Sequence, residues 1–169
     1  MTFTDTHCHL ADSKLADTLP AVLAEAQAVG VARFIVPATS PKDWQAVAQL
    51  ERPSENIHIA LGIHPWFSDG LNEAAFQELE SELIRHPQAW VGEIGLDFYG
   101  KEQTQAQRDT QTEVFIRQLI LAQNLNRRVI IHNLKATATI AVAVKTAGFT
   151  RGGIVHAFSG SVEEARILV

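Results

Sequence analysis

The sequence predicts an α/β protein of the TIM-barrel type, a (β/α)8 barrel of which about six β/α units are present. Three observations carry this. Short β-branched or apolar runs alternate with longer helical patterns along the 169 residues, in units of about 30 residues, and strands alternating with helices imply a parallel sheet. The first, third, fourth, fifth and sixth of these runs end in or near His or Glu: His7 and His9, His64, Glu93, His132 and His156. Groups from many strand ends converge on one mouth in a barrel, whereas an open doubly wound sheet gathers them at a switch point. Finally, neither GxGxxG nor GxxxxGK[ST] occurs, which counts against nucleotide-binding open sheets. A complete barrel typically takes about 250 residues. The expectation is therefore a single domain over 1–169, cut before strands seven and eight.

The first strand is expected near Phe3–His7. A helix follows around Leu19–Val29, with Leu19, Val22, Leu23, Ala26 and Val29 on one stripe, Thr18 as cap, Pro20 in the first turn and Gly30 as stop. Arg33–Val36 reads as the second strand, and Ser40-Pro41 opens a helix through about Leu50 by the same cap-then-proline logic. The third strand is Ile57–Leu61. A helix around Ala74–Arg85 buries Phe76, Leu79 and Leu83, and Pro87 forbids its extension. The fourth strand, Ala89–Ile94, leads into a loop holding Asp97, and a long helix runs from about Gln105 to Leu125. Arg128–His132 is the fifth strand, followed by a helix ending near Gly148. Gly153–His156 is the sixth, and Ser161-Val162-Glu163-Glu164 is a capping box that opens a last helix.

Composition bounds the class. Hydrophobic residues make up 46 % and charged residues 20 %, as in ordinary globular domains, and no apolar run approaches the roughly 20 residues of a membrane span. The N-terminus lacks the basic and apolar regions of a secretory signal. The single cysteine, Cys8, forms no internal disulfide and suits a reducing compartment, so a cytoplasmic protein is expected. The net charge of −5 argues against bulk nucleic-acid binding through a basic face. It leaves a nuclease open, because divalent metals in a carboxylate- and histidine-rich pocket make it locally positive.

Chemistry concentrates at the strand ends. Residues i and i+2 of a strand point to one face, so His7 and His9 project together and Cys8 points away as a small buried hydrophobe. Such a pair is half of a metal site; imidazole suits Zn, Mn, Fe or Ni, and carboxylate partners broaden that to Mg or Mn. Asp5 shares their face and reads as an orienter. Glu93 follows the apolar run Trp90-Val91-Gly92, where an unpaired carboxylate costs several kcal/mol. Its partner is a metal or, alternatively, an Arg or Lys. His132 and His156, each after an apolar run, form a second candidate cluster, although either alone reads equally as a neutral core histidine. His64, in Gly-Ile-His-Pro, fits a phosphate contact or a loop-ordering hydrogen bond as well as ligation. Asp97 could orient a ligand or its own turn. Phe98 and Tyr99 could stack a base or pack under a helix. His58 and His86 read as structural or solvated.

The segments Asp5-Thr6-His7-Cys8-His9-Leu10, Gly62-Ile63-His64-Pro65, Gly92-Glu93-Ile94-Gly95-Leu96-Asp97 and Val155-His156-Ala157-Phe158-Ser159-Gly160 resemble the TatD family of metal-dependent deoxyribonucleases, within the wider amidohydrolase-like barrels. They occur in family order and span the chain. The resemblance implies two divalent metal ions (Mg, Mn or Zn), with His7 and His9 holding one, His132 and His156 the other, and Glu93 bridging them as the catalytic carboxylate. It implies hydrolysis of DNA phosphodiesters, as a 3′-exonuclease on single-stranded ends, through a dinuclear metal-activated water, with His64 positioning phosphate. Two departures stand out. The family's Glu-Thr-Asp aspartate near the end of strand seven lies beyond Val169. The arginine that many relatives carry two residues after the fifth-strand histidine is Leu134 here, and the following Lys135 supplies charge to substrate without bidentate geometry. Alternatives are a related amidohydrolase or phosphatase, and an inactive metal-binding fragment. Open sheet edges and an exposed lumen also imply self-association of the truncated chain.

Overall fold

Parallel pairing runs unbroken through the chain. The computed structural model describes residues 1–52, 56–100 and 102–169. Its strands are β1 (Phe3–Asp5), β2 (Val31–Pro37), β3 (Ile57–Leu61), β4 (Trp90–Asp97), β5 (Val129–Leu134) and β6 (Gly153–His156). They form one sheet in the order β1-β2-β3-β4-β5-β6, with every neighbouring pair parallel. The crossover helices are α1 (Leu19–Ala28), α2 (Trp44–Ala48), α3 (Glu73–Arg85), α4 (Gln105–Asn124) and α5 (Thr137–Thr146), and α6 (Val162–Leu168) follows β6. Strands in sequential order, without a reversal, are the winding of a barrel rather than of an open doubly wound sheet. The sheet curls. The ring of His7, just past β1, stacks on that of His156 at the end of β6 with centroids 3.6 Å apart, although β1 and β6 are not neighbours in the sheet. The fold is an incomplete (β/α) barrel.

Side-chain alternation along the strands divides the apolar residues between two cores. Phe34, Val36, Ile59, Leu61, Val91 and Ile131 pack outward with Leu79, Leu83, Phe115, Leu119 and Ile140 of the helices. Ile35, Ala60 and Ile130, flanked by Trp90 and Ile154, form a smaller cluster on the other face, in the lumen. Burial of the outer set, at about 25 cal/mol per Å² of apolar surface, is the main force holding the helices on the sheet.

Several element ends differ from the sequence reading for local reasons. Thr18 does not cap α1 through its side chain; its hydroxyl donates to the Leu15 carbonyl instead. The expected helix from Ser40 starts only at Trp44, because the Asp43 carboxylate accepts the N–H groups of Thr39 and Ser40 and the Thr39 hydroxyl, holding the segment before it as a turn. The capping box at Ser161 and Glu164 forms as expected, and a second one joins Thr104 and Gln107 at the start of α4. β4 runs on to Asp97. That residue therefore stands at a strand end and is buried, not in a loop.

Candidate metal centre

β1 gives way to a turn in which the Asp5 carboxylate accepts the backbone N–H of His7 at 3.1 Å. Asp5 thus orders the backbone rather than the imidazole. The Cys8 N–H and thiol both donate to the Ile35 carbonyl, which ties Cys8 into the helix-side packing. Burial pushes its thiol up to about 12, so it stays a protonated, inert group. His7 and His9 project the other way, with their Nε2 atoms 3.1 Å apart.

Glu93 stands in the middle of β4 at 2 % exposure. The glycines around it let the strands close in: a Cβ on Gly92 would meet Ile130, and one on Gly95, whose φ is +135°, would meet the His132 backbone. β4 and β5 therefore approach where Glu93 faces His132. Glu93 Oε1 lies 2.9 Å from His132 Nδ1 and 3.9 Å from His64 Nε2, and Oε2 lies 3.3 Å from His7 Nε2. Among the described residues no Arg or Lys pairs with it. Burial alone would raise its carboxyl, but the hydrogen bond from His132 and the charges of His7, His64 and His132 outweigh that and hold it below the usual carboxylate range. Burial, with neighbouring imidazoles, pushes His7 and His64 down to about 4 despite Glu93. For His132 burial is outweighed by Glu93 and Asp97, and its pKa rises.

Two donor groups share Glu93: His7, His9 and Glu93, and His64, Glu93 and His132, each with ligand atoms within 4.8 Å of one another. His132 and His156 are register partners on β5 and β6, but His156 is outside both groups. It stacks on His7, and its ring centroid is 6.3 Å from that of His132. His64 occupies the place beside Glu93 and His132. Its Nδ1 accepts the Trp66 backbone N–H at 3.2 Å, so in the neutral ring the proton sits on Nε2, which faces Glu93 as a donor. Lys135, at φ +53°, lies apart from the imidazoles. Its ammonium sits 4.8 Å from the centre of the Tyr99 ring, and it lines a separate cavity with Asn133, Ser159 and Gly160. His58 lies toward the opposite mouth with Arg33 and Arg128, and His86 pairs with Glu51 at 2.8 Å.

Four contributors escaped the sequence reading in whole or part. Asp97 Oδ2 accepts the Trp66 indole N–H at 2.8 Å and lies 3.3 Å from His132 Nε2; Oδ1 accepts the Tyr99 N–H at 3.0 Å. Trp66 lines the pocket beside His64. Gln118 of α4, fully buried, accepts the Ile63 N–H at 2.7 Å and donates to the Ile63 carbonyl at 3.1 Å. Gln111 accepts the Asp97 N–H at 3.0 Å. Glutamines on a long helix carry no sequence signal that separates such a clamp from a solvated face.

The residues fit a divalent cation. The buried ring nitrogen His7 Nδ1 has no hydrogen-bond partner, the Nε2 atoms of His7 and His9 face each other beside a carboxylate, and imidazole with carboxylate is a common donor set for Zn and Mn.

A curled parallel sheet whose strand ends surround one buried carboxylate with imidazoles defines a (β/α)-barrel protein with a candidate His/Glu metal centre. The family model described as TatD related DNase matches residues 4–169, and the chain belongs to that family. It is 33 % identical over 169 residues to the Escherichia coli K12 protein named "Uncharacterized metal-dependent hydrolase YjjV", covering 99 % of this chain and 64 % of the relative. It is 31 % identical to a Bacillus subtilis protein named as the metal-dependent hydrolase YabD, covering 96 % of this chain and 63 % of that one. The crystal structure of E. coli YjjV superposes with a TM-score of 0.86 at 32 % identity, over 98 % of this chain and 64 % of that chain. The chain thus spans slightly under two thirds of the relatives it matches.

Proposed function

We propose that this chain is the metal-holding part of a hydrolase that cleaves DNA phosphodiester bonds, acting as a 3′-exonuclease on single-stranded ends. The observation that carries this is Glu93: a buried carboxylate with imidazoles on both sides and no Arg or Lys partner among the described residues. The family's description as DNases and the relatives' names as metal-dependent hydrolases support the same reading. His7, His9 and Glu93 would hold one divalent ion; Glu93 and His132, with His156, would hold a second, the metals being Mg, Mn or Zn. Such ions supply Lewis acidity toward phosphoryl oxygens and an activated water.

The chain's own groups do the rest. Glu93, held below the usual carboxylate range, stays anionic at neutral pH and balances the cations' charge. His64, with its proton on Nε2, donates toward an anionic phosphoryl oxygen, and Lys135 adds positive charge at its separate cavity. A cytoplasmic setting is part of this reading, supported by the presence of one cysteine in the sequence. Glu93→Gln in the complete protein should lower metal-dependent hydrolysis of single-stranded DNA by at least about 100-fold, with the circular dichroism spectrum retained. Unchanged hydrolysis would remove the bridging role.

A further inference from the structure

Three large aromatic side chains stand exposed near the metal pocket: Trp66 at 71 %, Phe67 at 43 % and Tyr99 at 62 %. Trp66 and Phe67 line that pocket beside His9, His64 and Glu93. Single exposed apolar residues are ordinary, but two of these are anchored. The Trp66 indole N–H donates to Asp97 Oδ2, its backbone N–H donates to His64 Nδ1, and its ring meets the His64 ring nearly edge-on with centroids 5.0 Å apart. The Tyr99 N–H donates to the other oxygen of the same carboxylate, and the Lys135 ammonium lies over the Tyr99 ring. Asp97 is itself buried and fixed by Gln111. One carboxylate therefore fixes the indole ring of Trp66 and the backbone of Tyr99, and both side chains stay exposed.

We propose that Trp66 and Tyr99 form an aromatic clamp, positioned by Asp97, on which unpaired bases of a single-stranded DNA substrate stack as its backbone enters the metal pocket. This rests on the nuclease reading above and deepens it. Every base offers a π-face, so stacking tolerates any sequence, while bases inside a duplex have both faces covered and cannot use the clamp. Lys135, beside Tyr99, is placed to meet the backbone between stacked bases. A preference for unpaired ends follows from the clamp, independently of the metals.

The test compares two fluorescent strands of equal length and charge, an oligothymidylate and its abasic counterpart, binding to the complete protein in chelator at low salt, where hydrolysis is arrested. The base-bearing strand should bind about tenfold more tightly. Trp66→Ala and Tyr99→Ala should each reduce that preference, read as the ratio of the two affinities; Tyr99→Phe should keep it. A wild-type protein without the preference, whether it binds both strands equally or neither, overturns the clamp. So does a preference that survives in both alanine variants. Hydrolysis by the metal-loaded protein, measured in parallel, shows whether the nuclease reading falls as well.

Discussion

Protons and metal ions compete for the same nitrogens at this site. His7 and His64 are pushed from an ordinary 6.5 to about 4, chiefly by burial, and the Glu93 carboxyl is also lowered. An unfolded chain takes up protons at the two imidazoles as the pH falls below about 6.5, while the folded chain resists until about 4; Glu93 acts in the same sense lower down, below the ordinary carboxyl value. Stability from these groups is therefore complete above the unfolded values and lost as the pH falls through the folded ones. His132, whose pKa is raised, works in the opposite sense and weakens as the pH rises. His156 is lowered in the same direction as His7 and His64, chiefly by burial; with the imidazoles of His7, His64 and His156 against that of His132, the metal-free protein should show a falling Tm between near-neutral pH and about pH 4. A divalent ion should raise Tm near neutrality, where the imidazoles are free to ligate, and lose that effect in acid. Thermal melts with and without chelator across this range measure both.

At the scale of elements, α4 does more than cover the sheet. Gln118 satisfies both backbone groups of Ile63, next to His64, and Gln111 satisfies the Asp97 N–H, so one helix fixes the loop after β3 and the end of β4. Gln118→Leu would keep the volume and leave two buried backbone groups unpaired, each costing about 1–3 kcal/mol. Chemical denaturation should show that loss, and hydrolysis of single-stranded DNA by the complete protein should fall with it as the loop carrying His64 loosens. The β4–β5 contact is a second such device. The Gly-Glu-Ile-Gly segment could be read from the sequence as a motif, but the reason for its glycines is visible only where β5 lies against them.

At the scale of the molecule, β1 and β6 have no outer neighbour in the sheet among the described residues. All three residues of β1 are exposed, and an apolar cavity beside β6 is lined by Ile140, Val144, Val155, Ile167 and Leu168. Unpaired edges beside apolar surface favour association. The 169-residue polypeptide by itself should sediment as species larger than its 18.6 kDa; a stable compact monomer would contradict this. No helix among the described residues is long and apolar enough to cross a membrane.

Much of this protein is legible without coordinates, because local physics writes it into short stretches of chain. The βα alternation, the capping box at Ser161 and the placing of His7, His9, Glu93, His132 and His156 in or just past the strands follow from periodicity and turn chemistry, although Glu93 stands in the middle of β4 rather than at its end. The family motifs are contiguous, so they are legible too. Tertiary structure decided what depends on residues far apart in sequence. It placed His64 beside Glu93 and His132, moved His156 onto His7, drew Asp97 out of a loop to tie Trp66 and Tyr99, and turned two helix glutamines into backbone clamps. Donor geometry at a strand end is set by which neighbours the curled sheet brings within hydrogen-bonding distance, and no window of local sequence contains those neighbours.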